Sequence, residues 1–219
     1  MTDPVSLSIS ALALATSVAN AWLTLLRLGT VRMTQPTVIF FGPDGRPDEG
    51  DTVPKVFLRT LLYSTSQRGR IVQAMYVRLR RGETAQIFNV WAYGDERLVR
   101  GSGLFVGKEG VACNHHFLLP SDGTRYVFLP GRYRIEVFVS LVGTKRDLLL
   151  SATELQLGES EARALEARGN GLYFDWGPDS TSYQSHVRSS PPRDLPPGLL
   201  ALLGPLGSEE KEDKEKSSS

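Results

Sequence analysis

The segment GVACNHHFLLP, residues 110–120, concentrates side chains that could do chemistry. It holds the only cysteine of the chain, Cys113, and two of the three histidines, His115 and His116. Thiolates and imidazole nitrogens are ligands that zinc prefers, and Cys–His pairs also serve thiol-dependent catalysis. The residue types therefore raise two hypotheses for this segment, a metal site and a catalytic pair.

The alternation of side chains along a β-strand limits both hypotheses. On a strand, neighbours point to opposite faces, so His115 and His116 cannot easily hold one ion. Cys113, His115 and Phe117 would share a face, with the first two about 7 Å apart, and a metal would need a third ligand, for which His186 is the candidate. Catalytic Cys–His pairs usually join residues that are distant in sequence. We predict a structural strand without metal or cofactor and a protein that is not an enzyme; metal binding through Cys113 and His115 is the alternative.

A basic segment is the second candidate for ligand contact. QRGRIVQAMYVRLRRGE carries five arginines around one predicted strand, where Arg78 and Arg80 alternate with apolar residues and share the outer face. Beside a membrane, such a cluster would attract anionic lipid headgroups by about 1 kcal/mol per residue. A solvated strand face is the alternative. The five residues are Arg68, Arg70, Arg78, Arg80 and Arg81.

The first thirty residues contain the element that would bring those arginines to a membrane. Residues 4–26 carry no charge, and at about 1.5 Å per residue a helix of this length spans roughly 35 Å, more than a bilayer core of about 30 Å. Thr2 or Asp3 can cap the helix, and Pro4 suits its first position. We predict a membrane anchor within residues 1–30. A helix buried in the fold or in an assembly, and a cleaved signal, are the alternatives.

Small and polar residues recur along this predicted helix at spacings of three and four. That spacing places them on one stripe, where two helices can approach closely and an asparagine can find a partner amide. We therefore predict self-association, and hence a homo-oligomer or a protein partner. The stripe consists of Ser6, Ser10, Ala13, Ser17, Asn20 and Thr24.

The charges that flank the predicted anchor suggest an orientation. Arg27 and Arg32 follow the uncharged segment, and no lysine or arginine precedes it. The positive-inside rule then predicts the N-terminus outside and the rest of the chain in the cytoplasm. A domain on the outer side that binds a ligand is the alternative. The formal charge of +1 gives no reason to expect nucleic acid.

The body of the chain, residues 31–188, has the pattern of a mainly β domain. Short apolar or alternating runs recur about every ten residues, separated by turn-like segments and without intervening helices. The runs include KVFLRTLLYST, IVQAMYVRLR, TAQIFNVWAY, RLVRGSGLFV and GVACNHHFLL. Residues 159–168 predict a short helix near the C-terminal end. The last residues, 189–219, are rich in proline and mixed charge, which predicts disorder.

One strand carries a more specific pattern. Within residues 128–143, Tyr133 begins a series of alternating apolar residues, and it follows the turn Leu129-Pro130-Gly131-Arg132. This arrangement resembles the entry to a late strand of immunoglobulin-like sandwiches, in which a tyrosine hydroxyl bonds to the backbone at a corner. The resemblance implies an antiparallel, immunoglobulin-like β-sandwich. It implies no function, since that fold serves many.

Overall fold

The computed structural model describes residues 3–22, 24, 29–44, 53–95, 98–120, 125–167 and 169–189. Two helices and thirteen strands lie in this part of the chain. The prediction of a mainly β chain with an N-terminal helix and a second short helix is confirmed. In chain order the elements are α1 (Pro4–Ala21), β1 (Val31–Met33), β2 (Val38–Asp44), β3 (Val53–Ser64), β4 (Arg70–Arg81), β5 (Thr84–Phe88), β6 (Val90–Tyr93), β7 (Val99–Arg100), β8 (Leu104–Val106), β9 (Val111–Leu118), β10 (Gly131–Leu141), β11 (Leu148–Leu157), α2 (Glu159–Glu166), β12 (Asn170–Gly177) and β13 (Ser182–Ser189).

The strands form two antiparallel sheets. The larger sheet has the order β13-β12-β2-β3-β9-β6-β7, and β1 pairs with the far end of β3. The smaller sheet has the order β11-β10-β4-β5, and β8 pairs with the start of β4. The predicted tail at 189–219 lies outside the described residues except for Ser189, the last residue of β13.

One hydrophobic core joins the inner faces of the two sheets. Its members alternate with outward-facing residues, which is why each strand has one apolar side. On β10 the predicted inner face is confirmed, because its five apolar residues are all buried in this core. The five residues are Tyr133, Ile135, Val137, Val139 and Leu141.

The corner bond that the sequence pattern suggests is present. The hydroxyl of Tyr133, whose ring is fully buried, donates to the Leu129 carbonyl at 2.6 Å. This bond gives the hydroxyl a backbone acceptor inside the protein. It also ties the turn before β10 to the core.

Two runs that look like single strands in the sequence each divide between the sheets. TAQIFNVWAY contributes β5 to the smaller sheet and, after Asn89, β6 to the larger one. RLVRGSGLFV contributes β7 to the larger sheet and β8 to the smaller one. The chain thus crosses twice between the sheets in this region.

The N-terminal helix α1 is separate from that core. Its N-cap is Asp3, whose carboxylate accepts a hydrogen bond from the Val5 N–H at 3.1 Å. Every residue from Pro4 to Ala21 is exposed. By length and composition α1 could cross a membrane.

Candidate functional site

The Cys113–His115 pair lies on the inner face of the larger sheet. Strand β9 is held between β3 and β6, with His115 opposite Leu58 on one side and Tyr93 on the other. Its neighbour Phe117 belongs to the core. His115 is fully buried and Cys113 nearly so. The two side chains therefore belong to the packing between the sheets.

Both nitrogens of the His115 ring have partners. The Trp91 indole N–H donates to His115 Nδ1 at 3.2 Å, and His115 Nε2 lies 3.4 Å from Cys113 Sγ. Because an indole nitrogen can only donate, Nδ1 is the acceptor and Nε2 carries the proton. Burial lowers the pKa of His115 to about 4, so the ring is neutral at pH 7.

The same burial makes Cys113 a poor nucleophile. Burial, with a smaller contribution from the Asp95 carboxylate, raises the pKa of the thiol to about 12. Thiolates act as nucleophiles and metal ligands, whereas a protonated, buried thiol behaves as a small apolar group. Within the described residues, no group of three or more His, Cys, Asp or Glu side chains is placed to hold a metal ion.

The third candidate ligand, His186, lies far from this pair. It is on β13 beside Tyr173 of β12, and the order β13-β12-β2-β3-β9 places it four strands from Cys113. At about 4.8 Å per strand the separation approaches 20 Å, and His186 is on the outer face. Its Nδ1 contacts the Asp175 carboxylate at 3.2 Å. The structure does not bring His186 to the Cys113–His115 pair.

His116 lies on the outer face of the larger sheet, and it is buried as completely as its neighbour. The sequence interpretation assigned it no role. Neither of its ring nitrogens has a hydrogen-bond partner. Burial, together with the charge of Lys55, lowers the pKa of His116 to about 3. The ring of Phe57 meets it edge-on, with 5.0 Å between the centroids.

Lys55 makes a buried ion pair on the same outer face. Its ammonium lies 2.9 Å from the Asp44 carboxylate, and both side chains are almost fully enclosed. Isolated charges are costly to remove from water, so each partner makes the burial of the other tolerable. The ammonium also lies 5.8 Å from the centroid of the Phe40 ring.

An aromatic row continues across this face from His116. In the register, Phe57 lies opposite Phe40, and Phe40 lies opposite Tyr173. The Phe40 and Tyr173 rings are 4.8 Å apart, and the Tyr173 hydroxyl has no hydrogen-bond partner. Glycine at 171 is required, since a Cβ there would lie 2.1 Å from the Phe40 ring. Sequence alternation could have placed these residues on one face, but not shown that the face is covered.

The five predicted arginines do not form one cluster. Arg70 begins β4 and Arg78 lies eight residues further on, a separation of about 26 Å along the strand. Only Arg78 and Arg80 share the outer face, as predicted. Arg81 points the other way and donates to the Pro130 carbonyl at 3.4 Å. The remaining one, Arg68, is exposed in the turn before β4.

On the outer face of the smaller sheet, a buried carboxylate organises the arginines. Glu136 accepts from Arg78 Nε at 2.7 Å and from Arg134 Nε at 3.2 Å. Hydrogen bonds from these two arginines hold the pKa of Glu136 below its usual value against the opposing effect of burial. The guanidinium of Arg78 also stacks on Phe138, 4.6 Å from the ring centroid. Arg134 is a member of this basic face that the predicted cluster omitted.

A groove opens between the edges of the two sheets. Leu155 of β11 lines one wall, and Trp176 and Tyr183 of the β12–β13 hairpin line the other. The Tyr183 hydroxyl donates to the Pro36 carbonyl at 2.7 Å and accepts from the Gln35 amide at 2.8 Å. These bonds tie the hairpin to the segment before β2. They leave mixed polar and aromatic surface in the groove.

The predicted stripe on α1 is built of residues that bond to one another. Hydroxyls of Ser10, Ser17 and Thr24 donate to the carbonyls of residues 6, 13 and 20, each four positions earlier and each on the stripe. These bonds satisfy the hydroxyls inside the helix. No described residue bonds to the amide of Asn20.

No family model, curated protein or solved structure matches this chain.

Proposed function

We propose that this chain is a single-pass membrane protein, in which α1 is the anchor and an immunoglobulin-like β-sandwich binds or scaffolds a partner at the membrane surface. The observation that carries the proposal is the complete exposure of α1, which is uncharged from Pro4 to Ala21. Apolar surface on this scale is unfavourable in water and favourable in hydrocarbon. The 18 residues of α1 form a helix about 27 Å long, which nearly matches a bilayer core of about 30 Å.

The stripe on α1 supports self-association in the membrane. In hydrocarbon an unsatisfied polar group costs more than in water, and the hydroxyls of Ser10, Ser17 and Thr24 already bond to helix carbonyls. The Asn20 amide has no partner among the described residues, and Asn20 of a second copy offers both a donor and an acceptor. Small neighbours such as Ala13 and Ser17 would let the two helices approach closely.

The immunoglobulin-like character of the sandwich rests on two features. Both sheets are antiparallel with a common core, and the Tyr133 hydroxyl makes the corner bond to Leu129. Domains of this architecture often present loops and sheet faces to partners. A role in binding is favoured over catalysis because the Cys113–His115 pair is buried, neutral and internally bonded.

The proposed orientation follows the positive-inside rule. Arg32 is exposed just after the anchor, and Arg27 precedes it in the sequence. The N-terminus would then lie outside and the sandwich in the cytoplasm. A cysteine introduced at the exposed Val127 should resist a membrane-impermeant maleimide in intact cells and react after lysis. Labelling in intact cells would show the opposite orientation, with the sandwich outside the cell.

Alkaline carbonate extraction of membranes that contain the full chain tests the anchor. The wild type should stay in the membrane pellet, and Leu12→Lys/Leu14→Lys should move to the supernatant because two buried charges oppose insertion. Leu149→Lys is the matched control, since Leu149 is also exposed but lies on β11; it should stay in the pellet.

Release of the wild type by carbonate would overturn the proposal. Release as part of a larger complex would instead support a subunit whose N-terminal helix is buried in an assembly. Stoichiometric zinc in the purified protein, lost in both Cys113→Ser and His115→Ala, would support the alternative of metal binding.

A further inference from the structure

Three apolar side chains lie exposed together on the outer face of the smaller sheet, at its end. Ile71 of β4 and Phe105 of β8 are directly opposite in the register and are 43% and 59% exposed. Val142, which follows β10, donates its N–H to the Ile71 carbonyl at 3.0 Å and is 51% exposed. Exposed apolar residues are usually scattered, so three neighbours form a patch that suggests a contact.

The backbone beside Phe105 is shaped to hold its ring. Gly69 has a φ of +65°, which favours glycine, and a Cβ at this position would lie 2.5 Å from the ring of Phe105. The ring therefore rests against the backbone at Gly69. Its other side is exposed, so the apolar surface is held in place for a partner.

Basic side chains lie in the two turns that adjoin the apolar trio. Lys108 lies in the turn after β8, and Lys145 and Arg146 lie in the turn between β10 and β11; all three are exposed. The nearby acidic residues are Glu109 and Asp147, and the carboxylate of Asp147 accepts hydrogen bonds from two hydroxyls. The surface combines apolar side chains with an excess of positive charge.

This end of the sandwich is also where the chain arrives from α1. Val31 of β1 pairs with Ser64, and the backbone N–H of Thr65 donates to the Thr30 carbonyl at 2.9 Å. The N–H of Ser64 donates to the carbonyl of Gly107, which places the turn of residues 107–110 at the same end. Only residues 22–30 separate α1 from β1.

We propose that this patch is a second membrane contact, which binds anionic lipid headgroups and inserts its apolar side chains into the interface. It rests on the proposed function, because α1 must first hold the domain at a bilayer. A basic surface attracts anionic lipid, and apolar side chains at its centre gain from burial among the headgroups. The patch consists of Ile71, Phe105, Val142, Lys108, Lys145 and Arg146.

The position of the patch also separates it from Arg78 and Arg80. Those arginines lie toward the other end of β4, about 26 Å (Arg78) and about 33 Å (Arg80) from Arg70, and so would be held away from the membrane when the near end contacts it. The proposed lipid contact therefore lies away from Arg78 and Arg80, whereas Arg68 and Arg70 lie at its end of the sheet, where Arg70 donates to the Val142 carbonyl at 3.4 Å.

Lipid-quenching of a fluorophore tests the proposal on the full chain in vesicles. Single cysteines at Phe105→Cys, Val127→Cys and Leu12→Cys carry an NBD label, and the vesicles contain spin-labelled phosphatidylcholine with or without phosphatidylserine. Cys113 reacts slowly because it is buried and the pKa of its thiol is raised to about 12, and labelled wild type measures its background. Val127 is an equally exposed control just before β10, at the opposite end of that strand from Val142.

We expect the label at 12 to be quenched in both lipids. The label at 105 should be quenched several-fold more than the label at 127, and mainly when phosphatidylserine is present. The quenching at 105 gives the ratio of protein whose patch contacts the bilayer to protein whose patch does not. We expect this ratio to fall about fivefold for each charge removed in the triple variant Lys108→Gln/Lys145→Gln/Arg146→Gln. Arg80→Gln/Arg132→Gln should leave it unchanged.

The label at 12 separates two kinds of failure. If it is quenched while the labels at 105 and 127 respond alike, the anchor stands and the second contact is overturned. If the label at 12 is not quenched, the membrane anchor itself is overturned. Equal quenching at 105 with and without phosphatidylserine would overturn recognition of anionic lipid.

Discussion

His115 and His116 are neighbours in the sequence, yet the two faces of β9 give them opposite environments. On the inner face, His115 accepts from Trp91 and donates toward Cys113. On the outer face, His116 is equally buried but has no partner for either nitrogen. The polar groups of His115 on the inner face are satisfied, whereas on the outer face both nitrogens of His116 and the Tyr173 hydroxyl are not.

The same contrast extends across the larger sheet. Its inner face is an apolar core, while its outer face buries an aromatic row and the Lys55–Asp44 ion pair. A buried polar group without a partner is destabilising, and a buried ion pair is tolerated only while both partners remain. The outer face should therefore respond to pH and to single substitutions more sharply than an ordinary exposed face.

Lowering the pH should give the largest change in the free energy of unfolding, because a buried neutral histidine lies on each face. Both histidines have folded-state pKa values far below the unfolded value of about 6.5, so the unfolded state binds protons first as pH falls. Stability should thus be lost below about pH 6.5, by roughly 2–3 kcal/mol per histidine down to pH 4.5. Urea unfolding at a series of pH values measures this loss.

A single substitution assigns half of that loss to the outer face. His116→Phe removes one titrating group, so between pH 7 and pH 4.5 it should lose roughly 2–3 kcal/mol less unfolding free energy than the wild type loses. Other groups titrate equally in both proteins and cancel in the difference. An unchanged slope in His116→Phe would show that His116 is not held neutral in the folded protein.

Breaking the ion pair of the outer face should be the next largest effect. Lys55→Met leaves the Asp44 carboxylate without its buried ammonium, which we expect to cost about 3–5 kcal/mol of unfolding free energy. Adding Asp44→Leu should recover most of that loss. Arg163→Ala, which breaks the exposed pair with Glu159, is the control and should cost under about 1 kcal/mol. Equal losses for the two single variants would contradict the burial of the Lys55–Asp44 pair.

Replacing each histidine by phenylalanine at pH 7 compares the two faces directly. His115→Phe leaves the Trp91 indole N–H unpaired and should destabilise by about 1–3 kcal/mol. His116→Phe removes two unsatisfied nitrogens and should stabilise by about 1 kcal/mol. Urea unfolding of both variants checks the signs. The same sign in both would refute the proposed difference between the faces.

The smallest expected effect belongs to the thiol of the inner face. Cys113→Ala should cost only about 1 kcal/mol, since the thiol acts as a small apolar group with one weak contact. The zinc content of the purified protein should be the same before and after the substitution, as elemental analysis can measure. Zinc that disappears with the thiol would support a metal role for the pair.

Several features could be predicted because they depend on short-range physics. The alternation on β10 identified its buried face, and the turn before Tyr133 pointed to the corner bond with Leu129. The lack of charge in residues 4–26, preceded by the capping candidates Thr2 and Asp3, predicted α1, and the structure selects Asp3 as the cap. Each of these follows from side-chain period, turn chemistry or composition within a few residues.

The division of TAQIFNVWAY and RLVRGSGLFV between two sheets could not be predicted in the same way. The apolar pattern of a strand predicts that one of its faces is buried, but it does not predict which other strand pairs with it. The separation of Arg70 from Arg78 has a similar origin: the residues are close in sequence, but an extended strand carries them to opposite ends.

The sequence by itself determined that Cys113, His115 and Phe117 share one face and that His116 lies on the other, because side chains alternate with a period of two along a strand. Only the tertiary structure decided which face became the core. That choice depends on where the second sheet packs and on what covers the outer face. For the same reason, the approach of Ile71 on β4, Phe105 on β8 and Val142 just after β10 is a property of the fold alone.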